Sequence, residues 1–152
     1  MKQIKLGSLL AIGSMALLIP MTLHAAEPED IIKYRQNMMR AIGGHTAAAG
    51  AVVQGKVDYK NQLPEHVHAL LALTSDIPAL FPKGSDFGDT KAKDEVWSNR
   101  AEFEKHAKDA KDKVAAFAKS VQGGNQQAIA ARFKEIGESC KACHKDFRKK
   151  DD

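Results

Sequence analysis

The stretch "SCKACHKDFRKK", residues 139–150, holds both cysteines of the chain and the last of its six histidines. Cys140-Lys141-Ala142-Cys143-His144 has three chemical readings: a redox dithiol, part of a metal site, or the attachment point of a haem. Each requires a different scaffold, so the rest of the chain decides among them. A thioredoxin-like dithiol sits beside a βαβ pattern, a structural zinc site calls for four protein ligands, and C-x-x-C-H is the attachment signal of c-type haem.

Outside this stretch the chain is written in helical periods. From about Pro28 to Val53, Ile31, Tyr34, Met38, Ile42, His45, Ala49 and Val52 recur at steps of three and four, which predicts one buried stripe. Pro28 suits a first helical turn, with Glu29 and Asp30 beside the positive end of the dipole. Gly43 and Gly44 interrupt this helix at a cost of roughly 2 kcal/mol relative to alanine. That cost calls for a compensating close approach, by another backbone or by a flat ligand. A second segment, about Gln62 to Leu80, repeats the rule through Leu63, Val67, Leu70, Thr74 and Ile77. "FPKGSDFGDT", 81–90, is a loop by composition. A third segment, about Ala92 to Gln122, places Val96, Arg100, Phe103, Ala107, Ala110, Val114, Phe117 and Val121 on one face, until Gly123-Gly124-Asn125 stops it. The fourth, about Gln126 to Lys149, aligns Ile129, Phe133, Ile136, Cys140, Cys143 and Phe147. No run of β-branched residues alternates with period two. Four amphipathic helices with short connections predict an all-α, antiparallel four-helix bundle, and the dithiol loses its scaffold.

On a helix each residue advances about 100°, so Cys143 lies about 60° from Cys140 and His144 about 40° to its other side. All three leave one face, the apolar stripe of the last segment. That arrangement suits two thioether links to a macrocycle with an imidazole reaching its iron. The remaining histidines of the body, His45, His66, His68 and His106, have no second C-x-x-C to complete a zinc site. Haem c near the C-terminal helix is the expected cofactor.

The N-terminus reads as a signal for export. Lys2 and Lys5 precede an apolar run from Leu6 to Ile19, Pro20 breaks it, and Ala25 offers a cleavage point before Ala26. The run is about 14 residues, short of the roughly 20 that a spanning helix needs. Residues 1–25 are therefore expected to be removed, leaving 26–152 as one haem domain in the periplasm, with no membrane insertion of the mature chain. Loss of Lys2 and Lys5 lowers the formal charge from +4 to +2. That balance does not favour nucleic acid as a partner.

"PEDIIKYRQNMMRAIGGH" (28–45), "GDTKAKDEVW" (88–97) and "CKACHKDFRKK" (140–150) together resemble the cytochrome c′ and cytochrome c-556 family, the class II c-type cytochromes, themselves a standard example of the four-helix bundle. The resemblance spans 27–150, and its most telling feature is the C-terminal place of the haem motif. It implies that Cys140 and Cys143 carry the haem and that His144 is the proximal ligand. It also implies that Arg35, Gln36 and Thr90 line the haem edge, and that the mature protein is a periplasmic homodimer formed through its first two helices. Arg148, one turn beyond His144, either hydrogen-bonds near the proximal ligand or a propionate, or belongs to a solvated basic tail. Arg100 is expected to snorkel to water.

Alignment on "YRQ" puts Met39 at the family's distal position, on one face with Ile32 and Gly43, with Met38 as its core neighbour. A thioether ligand there gives a six-coordinate electron-transfer iron. A thioether that only covers the iron leaves it open to nitric oxide or carbon monoxide. The expectation is a non-enzymatic electron carrier with Met39 at the iron, serving a periplasmic redox partner steered by Lys141, Lys145 and Lys149; gas sequestration is the alternative. A peroxidase would need a distal histidine or arginine, for which Arg35 and His45 are poorly placed.

Overall fold

The computed structural model describes residues 26–150, and the expected signal peptide lies outside them. The element order is α1 (Pro28–Val53), a 3₁₀ turn (Lys60–Gln62), α2 (Leu63–Leu73), a second 3₁₀ turn (Ile77–Leu80), α3 (Glu95–Ser98), α4 (Arg100–Gly123) and α5 (Gln126–Phe147). No strand occurs among the described residues, and the fold is the expected antiparallel four-helix bundle. Helices α1 and α2 pack as one pair and α4 and α5 as another, joined mainly where α2 meets α4.

Local chemistry sets the ends of α4 and α5. Gly124 adopts φ 71° and its N–H donates to the carbonyls of Ser120 and Val121, closing α4. That left-handed geometry favours glycine. Asn125 then caps α5, its Oδ1 accepting from Ala128 N at 3.0 Å.

Two expected helices are broken, each for an identifiable reason. The second segment stops at Leu73. Thr74 Oγ1 donates to Leu70 O at 2.7 Å and Ser75 Oγ to Ala72 O at 2.7 Å. Such side chains offer the backbone alternatives to the helix ladder, and Pro78 disfavours helical geometry at Ile77. The third segment begins in extended backbone: Lys93 N donates to Phe147 O (3.0 Å) and Lys149 N to Lys91 O (2.8 Å), around an isolated antiparallel bridge between Ala92 and Arg148. The same pairing ends α5 at Phe147 rather than Lys149, because Arg148 is extended at φ −120°, ψ 133°.

The long connection between α2 and α4 is fastened by two arginines and an indole. Arg35, buried on α1, donates to Ser85 Oγ (2.9 Å), Ser85 O (3.0 Å), Thr90 Oγ1 (2.8 Å) and Leu80 O (3.4 Å). Its guanidinium carbon also lies 4.6 Å from the centre of the Phe81 ring. Arg100 does not simply snorkel: it donates to Phe81 O (3.0 Å) and Pro78 O (2.9 Å) while pairing with Glu104. Trp97 Nε1 donates to Pro82 O at 3.0 Å. Carbonyls along the loop thus gain planar, multi-donor side-chain partners, in addition to Phe81 N on Pro78 O and Ser85 Oγ on Pro82 O.

The buried stripe of α1 differs from the expected one in its first half. Ile32 and Arg35 are buried there, while Tyr34 is 60% exposed and Met38 is half-buried in neither core cluster. The glycine that a neighbour approaches closely is Gly50, not Gly43 or Gly44. A Cβ on Gly50 would meet the Phe133 ring at 2.9 Å, whereas none at Gly43, Gly44 or Gly137 would meet an atom within 4 Å.

Gly137→Ala, on the exposed face of α5, is therefore expected to raise stability by roughly 0.5–1 kcal/mol. Gly50→Ala should fall below wild type because the ring must shift. Denaturant unfolding of the haem-loaded protein compares them, and equal gains would contradict the packing described. Arg35→Ala should cost about 2–4 kcal/mol through stranded loop carbonyls and should expose 81–90 to protease. Arg35→Lys should not restore it, since one ammonium cannot span the same set of acceptors. Unchanged unfolding in both Arg35 variants would refute the fastening role.

Candidate haem site

The apolar interior is divided. One cluster joins Ala49, Val52, Leu63, Val67, Leu70, Val114, Phe117, Ala118, Ile129 and Ile136, and a second joins Phe81, Ala92, Val96, Phe103 and Phe147. A cavity of about 490 Å³ lies against both, walled by Leu70, Val114 and Ile136 of the first and all five members of the second. This size is in the range of about 300–1,000 Å³ usual for cofactor pockets.

Cys140, Cys143 and His144 all line it, as their shared helical face predicts. Cys140 packs against the first cluster and Cys143 against the second. The two cysteines form no disulfide with each other. Burial raises the Cys140 pKa, and burial, followed by the neighbouring Cys140 and Asp146 charges, pushes Cys143 up to about 11. His144 is lowered by burial and then by the Arg148 charge, which leaves it a neutral imidazole with a lone pair to offer a metal.

Of the other expected residues, Arg35, Gln36, Met39, Thr90 and Arg148 all border the cavity. Gln36 Nε2 donates to Asp89 O at 2.8 Å, and Thr90 Oγ1 also accepts from Ala92 N at 3.1 Å, so both help to shape the loop rim. Arg35 is turned into that loop, and desolvation lowers its pKa. Arg148 reaches the rim from extended backbone, not from a further turn of α5. Gly43 borders the cavity beside Met39, but Ile32 does not; it packs under the loop, its Cδ1 being 3.8 Å from where a Gly88 Cβ would lie.

Sequence reasoning missed His106 and Phe103, which face the cavity from α4. His106 stands against the Phe147 ring, with Nε2 3.7 Å from Glu102 and 3.6 Å from Asp146. The available signal was its place three residues beyond Phe103 on the apolar stripe. Two hydroxyls in the α1–α2 wall are committed to their own helices: Thr46 Oγ1 donates to Ile42 O (2.8 Å) and Thr74 Oγ1 to Leu70 O. The donor set, the apolar walls and the opening beside Gly43 fit a flat, largely apolar macrocycle tethered from α5.

The family model described as "Cytochrome C'" matches residues 30–148. A cytochrome c′ of Pararhodospirillum photometricum is 32% identical over 124 residues, covering 81% of this chain and 99% of that protein. Cytochrome c-556 of Rhodopseudomonas palustris is 28% identical, covering 81% and 85%. Among solved structures, a point mutant of cytochrome c′ from Alcaligenes xylosoxidans in complex with nitric oxide superposes with TM-score 0.77 at 32% identity, covering 84% of this chain and 100% of that one. Another variant of the same protein, bound to carbon monoxide, gives TM-score 0.76 at 32% identity with the same coverage. With the bundle, the divided core and the C-terminal C-x-x-C-H face, these similarities establish that the chain belongs to the cytochrome c′ family, the class II c-type cytochromes, and carries haem c bound covalently through Cys140 and Cys143.

Proposed function

We propose that this protein is a periplasmic, non-enzymatic cytochrome c′ whose haem iron takes up small neutral gases, nitric oxide and carbon monoxide. The reading rests on one observation above others: beyond Arg35 and Gln36, which donate into loop 81–90, the α1–α2 wall of the cavity is apolar, and both of its threonine hydroxyls are already committed to helix carbonyls. Distal polarity and hydrogen-bond donors govern whether a haem binds oxygen, activates it or does neither. A wall without free donors gives no help to a polar oxygen adduct and no acid–base group for peroxide cleavage. Nitric oxide and carbon monoxide need neither. The nitric oxide and carbon monoxide complexes of the Alcaligenes xylosoxidans protein support the same direction.

In this proposal His144 would hold the haem iron as its proximal ligand, and the haem would supply a metal able to bind a diatomic gas. Met39 would cover the gas-binding side, and Arg35, Gln36, Thr90 and Arg148 would form the rim around the haem edge. Residues 1–25 direct export. The homodimer through the first two helices is carried over from the family resemblance. No described helix is long and apolar enough to cross a membrane.

Met39 itself favours a second reading. Its thioether borders the cavity and could close the iron, giving a six-coordinate electron carrier that meets a redox partner at the lysines around the haem motif. Optical spectra of the oxidised and reduced protein separate the two. The gas-binding reading expects a high-spin ferric spectrum, ready carbon monoxide binding when reduced, and little change in spin state in Met39→Leu. A low-spin ferric spectrum with a sulfur-to-iron band that disappears in Met39→Leu would overturn it in favour of electron transfer.

Cys140→Ala with Cys143→Ala should give protein without covalent haem and largely unfolded, because the ring joins two apolar clusters that meet little without it. Circular dichroism and mass analysis check this, and a stably folded haem-free bundle would contradict it.

A further inference from the structure

Two histidines that take no part in the haem site face each other across α1 and α2. His45 Nδ1 and His66 Nδ1 are 3.1 Å apart, with ring centroids at 5.3 Å and planes inclined by 59°. Both rings are half-buried, and neither borders the haem cavity. The contact requires one imidazole to carry its proton on Nδ1 while the other presents a lone pair.

The separation also equals the bite of a metal chelate. Imidazole nitrogens bind zinc at about 2.0–2.1 Å, so two of them at coordination angles of about 90–110° stand roughly 2.9–3.4 Å apart. The observed 3.1 Å falls within that interval. An ion would sit to one side of the line between the nitrogens, so each ring must swing by about 40°, which the broad χ2 well of histidine allows. Helices α1 and α2 pack as a pair, so the backbones that carry the donors are already in place before an ion arrives.

We propose that His45 and His66 form a bidentate site for a divalent late-transition ion, Cu²⁺ ahead of Zn²⁺, on the α1–α2 face and independent of the haem. The ion takes the place of the shared Nδ1 proton, which moves through water to Nε2 of the same ring, so that both histidines bind as neutral imidazoles, no net proton is released, and water completes the coordination. Imidazole is a fitting ligand for both ions, and the general affinity order of divalent metals places copper above zinc. No cluster of three or more His, Cys, Asp or Glu donors suited to a metal occurs among the described residues, so the affinity expected is micromolar rather than that of a closed structural site.

The test is titration of the haem-loaded protein with CuSO₄ and, separately, ZnCl₂, followed by calorimetry. One ion per chain should bind saturably in the micromolar range, with copper tighter, and the haem absorption spectrum should not change. Electron paramagnetic resonance of the copper form should show nitrogen coupling from two imidazoles in the wild type, which needs no variant to fold. His45→Asn and His66→Asn should each weaken binding at least tenfold. His68→Asn, on the exposed side of α2, should leave it intact. Absence of saturable binding, a copper signal without two imidazole nitrogens, or binding that survives both His45→Asn and His66→Asn would overturn the proposal.

Discussion

A bundle of this size depends on a continuous apolar interior, and here the interior is in two pieces with a cavity between them. Leu70, Phe117 and Ile136 anchor one piece; Phe103, Phe81 and Phe147 anchor the other. Large aromatic and aliphatic side chains stabilise by about 1.5–3 kcal/mol each when fully buried, but only if something covers the surfaces they turn toward each other. A haem seated in the cavity would supply that cover. Because Cys140 packs with one cluster and Cys143 with the other, sulfur links at both would fasten the ring across the seam rather than to one side of it. Cofactor attachment and core formation would thereby be coupled.

The crossover from α2 to α4 is the other place where the fold is won or lost. Its buried apolar side chains, Phe81, Ala92 and Val96, enter the second cluster, and it also carries carbonyls that need partners. Arg35 and Arg100 satisfy these from opposite helices, and the planar fork of each reaches several acceptors at once. The same crossover supplies Phe81, Thr90, Lys91 and Ala92 to the cavity. An arginine placed on a helix for loop support therefore also determines the shape of the haem pocket mouth.

Much of this was legible in the chain. The stripes of α4 and α5 run as read, since their partners are other helices and a 3.6-residue period reports that directly. The haem motif was legible because its three residues act through one helical face. What was hidden depended on distant partners. The first turns of α1 face a loop and a cofactor, so their inward side is marked by Ile32, Arg35 and Met39 instead of the more apolar-looking Tyr34 and Met38. Extended backbone at Lys91–Lys93 exists only because residues 147–149 lie beside it, and no local periodicity encodes such a pairing. His106 was overlooked because a histidine in a stripe of Phe and Ala looks like an interruption. His45 and His66 are separated by twenty residues of sequence and meet only when α1 and α2 fold together.

The short ladder between residues 91–93 and 147–149 has an evolutionary corollary. Its bonds run between main-chain atoms, so they are indifferent to which side chains sit on either strand. Selection can therefore change an exposed position such as Lys150 to suit a different docking surface while these main-chain bonds remain. An imino acid at position 93, 148 or 149 would be barred, since each contributes an N–H, and Arg148 also sits at φ −120°.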